Sequence, residues 1–142
     1  MINGEKTLKI DERGRITIPD FTGVEVGENL RFQFDPSFES LLIYSEAEFQ
    51  EMAESVREKL YVIPSIPKVK KFRRNFFGIL SFMPEKVDSG KRIQIPERAI
   101  LRLGLSNNVF IIGQGYHLRL CKDKESYEDL LRKSEDPKVM RK

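Results

Sequence analysis

The sequence predicts an α+β fold made of two similar β-hairpin halves, related by a pseudo-two-fold axis and joined by a helical bridge. The main observation is a phrase that occurs twice: Asp-x-x-x-Arg-Ile-x-Ile-Pro fills residues 11–19 and again residues 88–96, 77 positions further on. Polar and apolar residues alternate on both sides of each phrase, as they do in half-buried strands. A period of 77 residues is longer than that of solenoid repeats, so two copies indicate a pseudo-dimer rather than an open array.

The correspondence continues beyond the phrase at the same offset, which divides the chain into copies. The further matches at 77 positions are Gly27 with Gly104, Phe32 with Val109, Phe34 with Ile111, and Glu48 with Glu125. We therefore expect a first repeat at 4–48, a helical bridge at 49–81, a second repeat at 82–127, and the end of a closing helix with a mobile tail at 128–142.

Each repeat is predicted to begin with a β-hairpin. The predicted strand pairs are 6–11 with 15–18 in the first copy and 85–88 with 92–95 in the second. In the first turn, Gly14 supplies the positive φ that a tight turn needs. In the second turn, Gly90 stands one position earlier than Gly14 does, so we expect the two turns to differ in detail. Pro19 and Pro96 end the returning strands, because proline has no N–H for the ladder.

The middle of each repeat differs in helical content. After Pro96, residues 97–103 form a predicted short helix that Gly104 caps. The matching stretch in the first copy, 20–26, contains Gly23 and several β-branched residues, which predict a loop or a single turn. A second pair of hairpins follows, 30–35 with 40–44 and 108–112 with 117–121.

Three longer helical stretches complete the prediction. The first starts after Ser45, because Glu48 three residues later provides a capping box. Its apolar stripe consists of Phe49, Met52, Ala53, Val56 and Leu60. The third helix is predicted at about 123–133, with Tyr127, Leu130 and Leu131 facing inward.

The second of these helices, at about 67–82, is the bridge between the copies. Its basic side consists of Lys68, Lys70, Lys71, Arg73 and Arg74. We interpret that side as a solvated face, while contact with DNA, an acidic neighbour or a membrane surface stays open. Phe77 lies off the apolar stripe, so it is our candidate for an oligomer interface.

Composition excludes several classes of function. Charged residues make up 33% of the 142, the net charge is only +3, and no apolar run approaches a membrane span. A single Cys and a single His exclude an intrachain disulfide and a zinc site built from these residues. No phosphate loop, nucleophile elbow or metal motif occurs. We expect a cytoplasmic protein that is not an enzyme and has no cofactor, metal or small-molecule substrate.

The first residues of the two phrases are candidates for shaping the turns. An Asp before a tight turn accepts hydrogen bonds from the N–H groups of the turn, so we assign this role to Asp11 and Asp88. The turn glycines Gly14 and Gly90 complete the set. A bland interpretation is that each Asp simply pairs with the Arg four residues on and holds the turn.

The arginines at the start of the returning strands are the candidate binding residues. Arg15 and Arg92 occupy the same place in the two copies, with Arg13 and Lys91 beside them in the turns. Three or four cations at two related tips match phosphates or guanine edges repeated along a duplex. For the arginines we therefore favour binding over simple pairing with the aspartates.

The duplicated Asp-x-x-x-Arg-x-x-x-Pro phrase, with the Val-Phe-Ile-Ile-Gly-Gln stretch at 109–114, resembles the MraZ family of bacterial proteins. More broadly, the chain is similar to the AbrB/SpoVT class of swapped-hairpin DNA-binding domains. The resemblance implies a pseudo-dimer of AbrB-like halves in each chain, ring-shaped homo-oligomers, and basic hairpin tips that contact double-stranded DNA. It also implies a nucleoid-associated transcriptional regulator that recognises short tandem repeats upstream of the division and cell-wall gene cluster.

The family's motif residues map onto this chain one by one. Arg15 and Arg92 match its arginines, and Asp11 and Asp88 match its aspartates. The chain departs from the family in the second turn, where Ser-Gly-Lys precedes the Arg, and in the first copy, where Gly23 interrupts the helix. A different class of function stays open: an assembly or scaffold protein whose basic tips bind an acidic protein instead of DNA.

Overall fold

The computed structural model describes residues 2–61, 71 and 80–135. The strands are β1 (Glu5–Lys9), β2 (Arg15–Thr17), β3 (Asn29–Phe34), β4 (Leu41–Ser45), β5 (Glu85–Lys86), β6 (Arg92–Gln94), β7 (Asn108–Gly113) and β8 (Leu118–Cys121). The helices are α1 (Glu46–Tyr61), α2 (Glu97–Leu103) and α3 (Lys124–Glu135), with one 3-10 turn at Asp20–Thr22. Within the described ranges, every helix is too short or too polar to cross a membrane.

Six strands form one antiparallel sheet in the order β1-β7-β8-β4-β3-β5. β1 of the first copy pairs with β7 and so extends the β7–β8 hairpin of the second copy. β5 of the second copy pairs with β3 and so extends the β3–β4 hairpin of the first. The two groups of three strands meet where β4 pairs with β8, and Leu42 faces Arg119 there. Each copy therefore contributes one edge strand, β1 or β5, to the hairpin of the other copy.

The remaining strands, β2 and β6, form a separate two-stranded antiparallel ladder. Its central pair is Ile16 opposite Ile93. Each of these two residues is only 1% exposed, so the ladder lies with its apolar face in the core. A buried aliphatic side chain contributes about 1.5–3 kcal/mol relative to an exposed one, which makes this contact between copies a substantial part of the stability.

The predicted hairpins at the two phrases are wrong in their strand pairing. Residues 6–11 do not pair with 15–18, nor 85–88 with 92–95; instead β1 pairs with β7, β5 with β3, and β2 with β6. Only the turns themselves close locally. Pairing β2 with β6 brings the buried isoleucines of both copies together, whereas two local hairpins would leave each short apolar strand without this partner. Alternation in the sequence indicates a strand but does not specify its neighbour.

The constant offset of 77 is also wrong for one pair of strands. β3 begins at residue 29 and β7 at residue 108, which is an offset of 79, so Phe32 and Phe34 are not equivalent to Val109 and Ile111. The second copy contains the seven-residue α2 where the first has a three-residue turn. The β7–β8 connection, 114–117, is then shorter than the β3–β4 connection, 35–40, and this restores the offset.

Several local predictions are confirmed. The hairpins of β3 with β4 and β7 with β8 form as expected. α2 spans the predicted residues and ends at Gly104, whose backbone is left-handed, and the matching stretch is a single turn that ends at Gly23. At the start of α1, the Glu48 N–H donates a hydrogen bond of 3.1 Å to Ser45 Oγ, as the capping box predicts.

Two helix predictions need correction. The bridging helix does not reach Phe82, because Leu80–Phe82 is not helical and Ser81 forms an isolated bridge with Gln33 of β3. Leu131 of α3 is 41% exposed, so it does not face inward with Tyr127 and Leu130. Of the basic residues of the bridge, Lys71 is helical and the others lie outside the described residues. Phe77 also lies outside them.

Candidate nucleic-acid interface

The two turns at the start of the phrases have the same backbone hydrogen bonds. The Asp11 N–H donates to the Arg15 carbonyl at 2.9 Å, and the Asp88 N–H donates to the Arg92 carbonyl at 2.9 Å. The Gly14 N–H donates to the Asp11 carbonyl at 3.0 Å; in the second turn, the donor at this place is the N–H of the residue before Arg92, again at 3.0 Å. The second turn is therefore not remodelled.

The aspartates bind the interiors of their turns. Asp11 Oδ1 accepts from the N–H groups of Arg13 at 2.9 Å and Arg15 at 2.8 Å. Asp88 Oδ1 accepts from those of Gly90 at 2.9 Å and Arg92 at 2.8 Å. The hydrogen bond from the Arg15 N–H is the largest cause that lowers the pKa of Asp11, and that from the Arg92 N–H does the same for Asp88. Both carboxyls are therefore ionised at neutral pH.

The prediction that the turns differ in detail is wrong for the backbone. Gly14 has a φ of +79°, and the equivalent residue of the second turn, Lys91, has a φ of +60°. The shifted Gly90 takes the place of Arg13, and its own φ is not positive. A lysine in the left-handed region is strained by roughly 1 kcal/mol or more, so the hydrogen bonds of the turn outweigh the preference of its central residue.

The β2–β6 ladder holds both turns in place. The Ile18 N–H donates to the Lys91 carbonyl at 2.8 Å, and the Ile95 N–H donates to the Gly14 carbonyl at 2.9 Å. Each turn is thus bonded to the returning strand of the other copy, and the two turns lie at opposite ends of one short ladder. Side chains alternate across a strand, so the face opposite the buried isoleucines carries Arg15, Thr17, Arg92 and Gln94.

The two motif arginines are held by carboxylates to different degrees. Arg15 Nε donates to Asp11 Oδ2 at 2.9 Å, and Arg15 Nη1 lies 3.9 Å from Asp88 Oδ2. Arg92 Nε lies 3.3 Å from Asp88 Oδ2 but makes no hydrogen bond within the described residues. The Arg15 side chain is 22% exposed and that of Arg92 is 42% exposed. The structure therefore contains the Asp–Arg pairing of the bland interpretation, on a face that is still open to solvent.

The two cations added from their position in the turns have different surroundings. Arg13 is exposed and forms no ion pair with any residue in 2–61 or 80–135. Lys91 Nζ instead lies 2.8 Å from Asp20 Oδ1, which belongs to the 3-10 turn of the other copy. Arg15, Arg92 and Lys91 are thus each paired with a carboxylate, whereas Arg13 has no such partner among the described residues.

Sequence reasoning missed two residues at this face. Asp20 pairs with a lysine 71 positions away, and Gln94 Nε2 donates to the Arg13 carbonyl at 2.7 Å. No local spacing indicates either contact, because both depend on the exchange of strands between copies. Their closeness to the duplicated phrases could have pointed to both residues, since Asp20 directly follows the first phrase and Gln94 lies inside the second.

The remaining titratable side chains of interest lie away from this face. His117 Nε2 lies 3.0 Å from Gln114 Oε1, and the centre of its ring lies 5.2 Å from that of Tyr44, with the two rings tilted by 44°. Burial raises the pKa of the Cys121 thiol to about 12, so this buried residue is not a reactive thiolate. Among the described residues, no group of three or more His, Cys, Asp or Glu side chains is placed to hold a metal ion.

Comparison with known proteins gives one consistent result. The chain is 32% identical over 125 residues to the transcriptional regulator MraZ of Nitrosomonas europaea, covering 84% of this chain and 80% of that protein. It is 30% identical over 129 residues to that of Corynebacterium jeikeium, covering 91% and 85%. The MraZ of Alcanivorax borkumensis is 26% identical over 134 residues, covering 92% and 88%. No family model matches the chain.

Proposed function

Because this chain belongs to the MraZ family of transcriptional regulators, we propose that it binds double-stranded DNA through the β2–β6 ladder and its two turns. The observation that supports this most directly is the pairing of β2 with β6. That pairing aligns Arg15 and Arg92 on one outward face and places a turn at each end, one with Arg13 and the other with Lys91. Cations at two related places of this kind suit a ligand with regularly spaced negative charges, such as the phosphates of a duplex.

The arginines would act by exchanging partners. In the free protein the carboxylates of Asp11 and Asp88 hold the guanidinium groups near the surface of the ladder. A phosphate or a guanine edge offers two acceptors to the planar fork of an arginine, and a bidentate contact with guanine gives about 1–3 kcal/mol of discrimination. The aspartates are also bound to the turn backbone, so they keep the turn in shape while the arginines move.

Finer features of the function extend this proposal. The target would be short tandem repeats upstream of the division and cell-wall gene cluster, and the protein would act in the cytoplasm, associated with the nucleoid. Each chain would consist of two AbrB/SpoVT-like halves, 4–48 and 82–127, around the bridge at 49–81. A net charge of +3 is small for one DNA-binding chain. A ring of identical chains would present many weak tips at once, and avidity would supply the affinity.

The test is a salt titration of binding to the DNA upstream of the protein's own gene, with a shuffled duplex alongside. We expect the Arg15→Ala/Arg92→Ala variant to lose the preference for the upstream sequence. The control variant, Arg57→Ala/Arg132→Ala, removes the same charge from α1 and α3 and should keep that preference. Equal binding of both duplexes by the wild type at moderate salt would favour a scaffold whose tips bind an acidic protein.

A further inference from the structure

The second turn carries an ion pair that crosses between the two copies. Lys91 Nζ donates to Asp20 Oδ1 at 2.8 Å, and the hydrogen bond is the largest cause that lowers the pKa of Asp20. The contact follows from the strand exchange, because the Ile18 N–H bonds to the Lys91 carbonyl and thereby brings the start of the 3-10 turn beside the lysine. Asp20 is 99% exposed and Lys91 is 31% exposed, so the pair is open to solvent and to a ligand.

In the part of the chain that the structure describes, the first turn has no counterpart of this pair. At the positions 77 residues away, Gly14 stands in place of Lys91 and Glu97 in place of Asp20. Gly14 has no side chain to bind a carboxylate. The exposed cation of the first turn is Arg13, which forms no ion pair within 2–61 and 80–135. The two turns thus have the same backbone conformation, but the cation of the second turn is paired with a carboxylate and that of the first is not paired with any described residue.

We infer that Asp20 competes with DNA for Lys91 and so makes the 88–92 turn the weaker of the two DNA contacts. This inference rests on the proposed DNA binding and assigns to Asp20 a role that limits affinity. A phosphate that approaches Lys91 must displace the carboxylate and then lie beside its negative charge. At the first turn, Arg13 forms no ion pair within 2–61 and 80–135, so a phosphate that approaches it has no paired carboxylate of that range to displace.

The pair is exposed, so the size of the effect is bounded. Exposed ion pairs contribute little, and removing the competing charge should raise affinity by about two- to fivefold at low salt. The gain should shrink as salt is added, because ions screen an exposed charge within about 10 Å at 0.1 M. Asp20 therefore changes the relative affinity of the two turns for DNA and does not decide whether DNA binds.

The experiment measures the affinity of full-length protein for the upstream duplex at low salt. Asp20→Asn removes the charge of the competitor and keeps the shape of its side chain. The matched control is Glu97→Gln, which changes the net charge equally at the equivalent place in the first turn of α2. Both variants are also made in a Lys91→Gly background, which lacks the lysine. Glycine accepts the positive φ of +60° at that position.

We expect Asp20→Asn to bind DNA about two- to fivefold more tightly than Glu97→Gln, and we expect this difference to vanish in the Lys91→Gly background. Equal affinities of the two single variants would overturn the inference and leave the proposed function intact. So would a gain that persists without Lys91. If the wild type shows no preference for the duplex and all variants bind alike, the proposed function fails, and the inference fails with it.

Discussion

Ile16 lies directly opposite Ile93 in the β2–β6 ladder, and the two residues are the same position of the duplicated phrase. The pair marks the place where the copies face each other. Leu42 and Arg119, also 77 positions apart, meet in the same way where β4 pairs with β8. The copies are therefore joined at two levels, through the ladder that carries the turns and through the middle of the large sheet.

Shortening one isoleucine of the ladder should weaken the whole protein. We expect Ile93→Ala to lower the free energy of unfolding by about 2–5 kcal/mol, because the residue is 1% exposed and its loss leaves a cavity between the copies. Urea denaturation measures this. The Ile16→Ala/Ile93→Ala variant should lose less than the two single losses combined, since the residues are in contact; strict additivity would mean that they do not share a cavity.

Substitutions of Gly14 and Lys91, the equivalent residues of the two turns, should differ in their effect on stability. Gly14→Ala should destabilise by more than about 1 kcal/mol, because φ is +79° there and the new Cβ would lie 2.6 Å from Ile100 Cδ1. Lys91→Gly should cause no comparable loss, since glycine accepts a φ of +60° without strain. Chemical denaturation of both variants at neutral pH compares them. A larger loss for Lys91→Gly than for Gly14→Ala would contradict the assignment of equivalent turns.

The turn aspartates should make stability depend on acid. Hydrogen bonds in the folded state lower the pKa of Asp11 and Asp88 below the value of 3.8. The stabilisation is therefore fully present above the unfolded pKa and is lost as pH falls through the folded pKa. We expect Asp11→Asn/Asp88→Asn to be less stable than wild type at pH 7 and to lose less stability on acidification.

Unfolding free energies from urea titrations at neutral and acidic pH check this prediction. Glu12→Gln is the control. Glu12 belongs to the first turn, as Asp11 does, but its carboxylate accepts no hydrogen bond from the described residues. Part of the acid dependence should remain in the aspartate variant. Asp35 also has a lowered pKa, since burial, which raises it, is outweighed by hydrogen bonds from Ser37 and Ser40. An unchanged acid dependence would show that the turns do not bind the charged carboxylates in solution.

Arg13 should contribute to DNA binding without setting the sequence preference. It is exposed at the tip of the first turn, and its carbonyl is fixed by Gln94 Nε2 at 2.7 Å. If it binds a phosphate, Arg13→Ala should weaken binding to all duplexes alike and reduce the salt slope by about one. Filter binding or anisotropy over a range of salt measures the slope. A variant that alters the preference among sequences would instead place Arg13 at a base edge.

Local features of the fold were predictable because they depend on neighbouring residues. Ser45 and Glu48 indicated the start of α1, and Gly104 indicated the end of α2. The partners of the strands were not predictable, because alternation in 6–11 and 15–18 is equally compatible with a local and an exchanged pairing. At the site, the phrase identified the aspartates and arginines of the turns. The pairing of Asp20 with Lys91 depends on that exchange, so no spacing in the sequence indicated it.

Both strands of the β2–β6 ladder belong to one chain, and this changes how the protein behaves when it is scarce. In a dimer of separate half-length chains, dilution would pull the ladder apart and take both turns with it. Here the covalent connection keeps the effective concentration of the second strand high at any amount of protein. A single protein molecule therefore retains a complete pair of turns, however few molecules a cell contains.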